Sequence, residues 1–463
     1  MRRSYRRWRD PLVRFDRRYP DKVPDNRSPA ERDRDRILYT SAYRRLAGVT
    51  QVVSASEGHV FHNRLTHTIK VAQVARRLAE KLQRDGAALR EAQPSLPEVP
   101  LDADVAEAAA HAHDLGHPPF GHVAEVELQR LMHDYDPLSS FEGNAQSFRI
   151  VTKVARAHLD YSGLNLTRAT LNAILKYPWL HDSVGVKAEK KWGAYEPEWD
   201  DFAFAREGAP GEGLARPTTE AEQSLEAQIM DWADDITYAV HDVEDLYRAG
   251  LIPADRFASD PEARAEFAEW VDERWRRGNK IVAREEITRA LEVFPTMLGV
   301  SNPYEGSSAQ RIHLRMFTSN LIGRFVKATQ IVWDEADSAQ KWRLEIPTKR
   351  RIEADVMKEL VWRFVILRPA LASQQEGQKE VLRSLFAIFM DASDRANRDK
   401  DVNLLPTRLA EDVTRLRTAD QDTPGARARV ICDAFCSMTE DEVLQLYRRL
   451  KGVSMGSVLD AMA

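Results

Sequence analysis

Apolar residues recur at intervals of three and four along nearly every periodic segment of the chain, and alternating β-branched runs are few. That spacing places them on one face of a 3.6-residue helix and leaves little from which to build a sheet, so an all-α fold is expected. With 463 residues, 43% hydrophobic and 30% charged, the chain has a globular balance and the length to bury a large core. The first helix is expected to open at Ser28-Pro29-Ala30-Glu31, where serine caps, proline suits the first helical position and glutamate closes a capping box, and to run through Leu46 to a stop at Gly48. Further helices are expected at about 65–84, 103–115, 121–133, 142–158 and 168–176. A longer one, about 219–248, carries the apolar stripe Leu225, Ile229, Trp232, Ala233, Ile236, Val240 and Val243. The stretch best suited to a short extended or hairpin excursion is 49–60. The expected organisation is a basic arm over 1–27, a core over 28–335 and a C-terminal helical region over 336–463. Residues 181–220, rich in Gly, Pro, Trp and charge, read as an irregular insertion outside the core and suited to a lid.

A formal net charge of −5 conceals the arm, where Arg2, Arg3, Arg6, Arg7, Arg9, Arg14, Arg17 and Arg18 are crowded together. Such a run either contacts phosphates, of single-stranded nucleic acid or a nucleotide, or is a solvated terminus. No apolar stretch follows it, so it reads neither as a secretory signal nor as an anchor, and no membrane association and a cytoplasmic location are expected. The two cysteines, Cys432 and Cys436, stand four apart in a helical pattern that suits packing better than a disulfide. Metal chemistry would then have to use nitrogen and oxygen.

Four of the twelve histidines fall in His111-Ala112-His113-Asp114-Leu115-Gly116-His117-Pro118-Pro119-Phe120-Gly121-His122. His113 shares a helical face with Val105, Ala106, Ala109 and Ala110, and Gly116 ends that helix just after Asp114, so the His-Asp pair can turn toward one ion. His67 lines up with Val71, Val74, Ala75 and Leu78 near another helix start, and Asp231, Asp234 and Asp235 flank the stripe of the long helix. Carboxylates in that setting need compensation. A divalent cation held by two neutral imidazoles and two carboxylates would supply it, and the mixed donor set suits Mn, Fe, Ni, Co or Zn, with Mg where carboxylate and phosphate dominate.

A His, a His-Asp pair and a later Asp form the pattern of the HD superfamily of metal-dependent phosphohydrolases. Over about residues 28–250 the chain resembles the bacterial dGTP triphosphohydrolases and their mammalian relative, the SAM and HD domain dNTP hydrolase. The resemblance is carried by Arg34-Asp35-Arg36-Ile37, Tyr43-Arg44-Arg45-Leu46, Thr50-Gln51-Val52, Asn63-Arg64-Leu65-Thr66-His67, the run His113 to His122, and Phe141-Glu142-Gly143-Asn144-Ala145-Gln146-Ser147, and a late segment, Ile431-Cys432-Asp433 to Met438-Thr439, resembles the family's C-terminal helices. It implies an HD helical bundle with additional C-terminal helices. It also implies metal ligands His67, His113, Asp114 and Asp234, the last chosen over Asp235 because Tyr238 and Asp242 then follow at the family's four- and eight-residue intervals, on one helical stripe.

The same resemblance makes His122 and Glu125 the catalytic histidine and its carboxylate partner, and sets His117 near the substrate phosphates. Arg64 becomes a phosphate ligand, Gln51 and Tyr238 neighbours of the sugar, Asp242 a neighbour of its 3′-hydroxyl and Arg311 a further phosphate contact. Asn63 either contacts the nucleotide or caps the helix that follows it. The implied reaction is hydrolysis of a dNTP, dGTP among them, to deoxynucleoside and inorganic triphosphate by a homo-oligomer, hexameric or tetrameric, with an activating nucleotide as a further implied partner. Two rivals stay open: another HD phosphohydrolase activity, such as a 5′-nucleotidase or cyclic nucleotide phosphodiesterase, and a protein whose HD site is retained for binding or assembly, with nucleic acid held by the basic arm.

Overall fold

The structure, a computed structural model, describes residues 11–21, 25–51, 62–185, 187, 189–206, 217–299, 303–335, 341–395 and 404–454. After a single turn at Pro11–Arg14 come α1 (Pro29–Leu38), α2 (Ser41–Arg45), α3 (Arg64–Ala92), α4 (Ala103–Ala112), α5 (His122–Tyr135), α6 (Gly143–Arg149), α7 (Arg168–Ile174) and α8 (Trp199–Arg206). The chain continues through α9 (Leu225–Thr237), α10 (Val243–Arg248), α11 (Ala254–Ser259), α12 (Pro261–Arg277), α13 (Arg284–Leu298) and α14 (Ser308–Ala328). A hairpin, β1 (Gln330–Asp334) and β2 (Lys341–Glu345), leads into α15 (Thr348–Val361), α16 (Pro369–Arg395), α17 (Thr407–Thr418), α18 (Pro424–Phe435) and α19 (Glu440–Leu450). The fold is all-α apart from that hairpin.

Local chemistry sets most boundaries. Ser28 and Glu31 form the expected capping box, but the helix ends at Leu38, because Thr40 caps a new one by accepting from the Tyr43 amide at 3.1 Å. The long helix opens at Leu225 behind the Ser224 cap, and a π turn at Tyr238–Asp242 joins α9 to α10. Around the centre, α3 packs on α4 and α9, and α4 on α1, α7 and α9, through alanine-rich faces that let the backbones approach closely. Gly116 is required where α4 meets α6, since a Cβ there would lie 2.2 Å from Gly143 O and Ser147 N.

Several expectations change at this level. Of the excursion at 49–60, residues 52–60 lie outside the described ones, and its flanks Thr50 and Asn63 form an isolated antiparallel bridge. The hairpin stands instead at 330–345, where Trp333 faces Trp342 across the strands and Ile331, Trp342 and Leu344 are buried. It spans the boundary expected at 335. The segment 181–220 is not outside the core: Trp192 and Phe202 are fully buried, and Trp179, Trp192 and Tyr195 cluster on Ala145. Its aromatic residues outweigh its glycines and prolines. In the arm, Arg14 pairs with Glu226, Arg17 with Asp33 at 2.5 Å and Arg18 with Asp201 at 2.5 Å, so these three arginines fasten the chain to its own body. Arg2, Arg3, Arg6, Arg7 and Arg9 lie outside the described residues. Cys432 and Cys436 are buried free thiols. Among the described residues no helix is long and apolar enough to cross a membrane.

Candidate active site

A cleft of about 280 Å³ opens where the start of α3, the end of α4, the start of α5, the end of α9 and the N-terminal half of α16 converge. Its floor is the His-Asp cluster. One ring nitrogen each of His67 and His113 and an oxygen of Asp234 lie within 4.8 Å of one another, a set that could hold a metal ion. His67 Nε2 is 3.1 Å and His113 Nε2 3.8 Å from Asp234 Oδ1, and Asp114 Oδ1 is 3.4 Å from His113 Nε2. Asp114 stands slightly apart, engaged by Arg64 Nη1 at 2.9 Å and His117 Nδ1 at 3.0 Å.

The donor set fits a cation. His113 Nδ1 sits 2.6 Å from Ala110 O, and a carbonyl can only accept, so the proton of the neutral ring is on Nδ1 and a lone pair on Nε2. That Nε2 is buried without a hydrogen-bond partner and faces carboxylate oxygens. Burial holds His67 below the ordinary histidine value although Asp234 pulls the other way. For Asp234 burial opposes ionisation, but Lys176, His67 and His113 outweigh it and keep the carboxyl well below its usual range. Asp114 is held down likewise, against burial, by His113, Arg64 and His117. Neutral imidazoles and ionised carboxylates are the protonation states that bind metals.

A second cluster adjoins the first. Glu125, on the first turn of α5, has Oε1 3.1 Å from His117 Nε2 and faces His122 Nδ1 at 3.6 Å and Lys191 Nζ at 3.5 Å with Oε2. Burial opposes its charge, but His117, His122 and Lys191 prevail and keep it ionised. His117 is therefore strung between Asp114 and Glu125, linking the two clusters, whereas His122 stands at the mouth with its side chain 78% exposed. The turn before it is unusual. Phe120 and Gly121 both take positive φ, 71° and 60°.

Of the other expected residues, Gln51, Arg64 and Tyr238 line the cleft. Three do not. Asn63 is the cap of α3, accepting from the Thr66 amide at 2.9 Å and donating to Ala47 O at 3.1 Å. Asp242 is buried and outside the cleft lining, though near enough to Asp234, Arg64 and Tyr238 to act on their charges; burial, with Asp245 and Asp234 near, pushes its carboxyl well above the usual range. Arg311 is exposed on the first turn of α14, its guanidinium 3.5 Å from Ser308 Oγ, since the buried face of that helix is Leu314, Phe317, Leu321 and Phe325. Asp235 pairs with Lys358 at 2.5 Å.

Residues that sequence reasoning missed complete the wall. Lys176 reaches Asp231 and Asp234, each at 2.9 Å, and Tyr177 lies beside it. Lys191 bridges Glu125 to Glu142, the latter at 2.9 Å. Ile366, Leu371, Gln374, Gln375 and Gln378 form an uncharged side opposite these cations in chemical character. The aromatic density around Lys191 was the available sign that its segment packs inward; nothing local marked Lys176 or the glutamines.

Comparison with known proteins agrees with this geometry. Residues 64–239 match the HD domain and residues 344–449 the phosphohydrolase-associated domain. A deoxyguanosinetriphosphate triphosphohydrolase-like protein of Streptomyces coelicolor is 36% identical over 447 residues, covering 94% of this chain and 95% of its own. The chain belongs to the deoxyguanosinetriphosphate triphosphohydrolase-like family of HD proteins. Members with the same designation from Corynebacterium efficiens, at 32% identity over 93% of each chain, and Shewanella baltica, at 29% over 94% of each, extend the match. Both histidines and the aspartate that converge on the cleft floor fall within the HD match, and the glutamine-bearing wall falls within the second. The family makes the protein a hydrolase of the HD phosphohydrolase class.

Proposed function

We propose that the protein hydrolyses deoxynucleoside triphosphates, dGTP among them, at the α-phosphorus, releasing deoxynucleoside and inorganic triphosphate. The observation that carries this reading is the pairing of a set fit for a divalent cation with an acid-base cluster in one cleft, linked through His117. His67, His113 and Asp234 would hold the ion, with Asp114 completing the set. Mg or Mn is the first expectation, and Co, Ni, Fe or Zn suit the same donors. When bound, the ion supplies Lewis acidity at the phosphate and lowers the pKa of water.

The chain's own residues supply the rest. Arg64, Lys176 and Lys191 line the cleft wall, where they would face a triphosphate. Glu125, kept ionised and 3.6 Å from His122 Nδ1, would orient that ring, leaving its other nitrogen to give a proton to the departing 5′-oxygen as the bond from phosphorus to that oxygen breaks. Tyr238, its phenol raised by burial and by Asp242 and Asp234, stays protonated, and with Gln51 it would pack against the deoxyribose, where an added 2′-hydroxyl would clash or lose water. The relatives named above carry dGTP triphosphohydrolase in their designation, which favours this reading over another HD activity.

The test is to incubate the purified chain with each dNTP and Mn or Mg, separate the products by ion exchange, and repeat with His122→Ala. Triphosphate and deoxynucleoside are expected, with turnover in the variant lower by about 10²–10⁴-fold and Mn binding unchanged. Stepwise loss of phosphate would move the assignment to the rival hydrolases. Salt-sensitive, metal-independent binding of single strands without any hydrolysis would move it to a binding protein.

A further inference from the structure

The glutamate that begins the last described helix is far from the chemistry in sequence but touches both loops that frame it. Glu440, buried at 8% exposure, accepts the Thr50 amide on Oε1 at 2.8 Å, the Thr50 hydroxyl on Oε2 at 2.8 Å and the Phe120 amide on Oε1 at 3.0 Å. Gln51 follows Thr50 directly, and His122 follows the Phe120-Gly121 turn. Just upstream, Met438 O accepts from Arg45 Nη1 at 3.1 Å, while Arg45 Nη2 donates to Leu115 O at 3.0 Å and His117 O at 2.7 Å. The segment 438–440 is thus bonded to both ends of the His-Asp turn.

We infer that Glu440 is a positioning residue for this site: its carboxylate locks the Thr50-Gln51 loop to the Phe120–His122 turn, so that the C-terminal region sets the geometry in which the cleft works. This rests on the function proposed above. The turn needs such a lock. Phe120 has φ 71°, a conformation that L side chains rarely adopt and that survives only where the surroundings fix it. His122 is too exposed to be held by packing, so its place over the cleft follows from the turn before it. The cation set does not depend on the lock, since His67, His113 and Asp234 stand on α3, the end of α4 and α9.

The hydrogen-bond pattern separates reach from charge. A glutamine can reproduce it, its carbonyl oxygen accepting both amides and its NH₂ donating to the Thr50 hydroxyl, which also accepts. An aspartate keeps the charge at the helix start but is a methylene too short to join the loops. If Glu440 served only to complement the dipole of α19, aspartate would replace it and glutamine would not.

The experiment compares Glu440→Gln, Glu440→Asp and Glu440→Ala in the full chain by kcat and KM for dNTP hydrolysis, Mn binding by calorimetry, thermal midpoint, and hydrogen exchange of the Thr50 and Phe120 amides. Asp and Ala are expected to lower kcat by about 10²-fold, the scale of a displaced catalytic group. They should also raise KM and release both amides to exchange, with Mn affinity unchanged; Gln is expected to stay within a few-fold of the parent. Activity in the Asp variant equal to the parent, or damage in Gln equal to that in Ala, overturns the inference, and a variant that fails to fold leaves the Gln and Asp pair to decide it. Exchange reads the lock without turnover, so an absence of dNTP hydrolysis in the parent would refute the proposed function while protected amides would still uphold the lock.

Discussion

A single proton on His113 decides much of the site. Because Ala110 O fixes that proton on Nδ1, Nε2 is left facing Asp114 and Asp234, and a cation between them would satisfy all three. This ring was legible in the sequence, since an imidazole on an alanine face at a glycine-ended helix has few other uses. The π turn at Tyr238–Asp242 was not, because helical counting assumes a constant repeat. A buried histidine away from the cation set gives a prediction in pH. Burial pushes His241 from 6.5 down to about 4, Lys70 and His62 adding to the shift and Glu244 opposing it. Between those values the unfolded chain binds a proton that the folded one refuses, so stability is lost as pH falls through the window and is untouched above it. The loss reaches about 3 kcal/mol at ~1.4 kcal/mol per pH unit. Urea unfolding from pH 7 to pH 4 should show a smaller acid loss in His241→Asn than in the parent; identical slopes would refute the assignment.

At the scale of elements, the site depends on how closely α4 and α6 meet. A methyl group at Gly116 would overlap the α6 backbone at Gly143 and Ser147, neither of which is the free end of a side chain. Gly116→Ala is expected to lower the thermal midpoint and to weaken Mn binding together, since the same displacement turns His113 and Asp114 away from Asp234. A variant with normal Mn affinity would contradict this. The helices from 64 to 174 could be read from periodicity and caps because their signals are local. The inward packing of 181–220 could not, because composition averages over a segment while burial is decided by individual aromatic rings. Trp192, fully buried against Trp179 and Tyr195, provides the check. Trp192→Ala should cost about 3–5 kcal/mol by chemical denaturation, whereas a surface lid would tolerate the change within about 0.5 kcal/mol.

At the scale of the whole molecule, the cleft is built from both ends of the chain. The HD segment supplies the cation set and the acid-base cluster, and α16 closes the cleft with Ile366, Leu371 and three glutamines. The buried Glu127 binds Arg383 of that helix at 2.9 and 3.1 Å, which fastens it to α5 close to His122. The sequence motifs pointed to the first half because its histidines and carboxylates cluster locally along the chain. Outside the late segment 431–439, the second half was recognisable only as helical, since its contribution is a surface that exists once the chain has folded back on itself.

The proposed reaction is attack of water at the α-phosphorus with cleavage of the bond to the 5′-oxygen. The most direct test is hydrolysis of a dNTP in ¹⁸O-labelled water, followed by mass spectrometry of both products. Attack at phosphorus is expected to leave one labelled oxygen in the inorganic triphosphate and none in the deoxynucleoside. Label in the deoxynucleoside, or release of a nucleoside monophosphate with pyrophosphate, would contradict it.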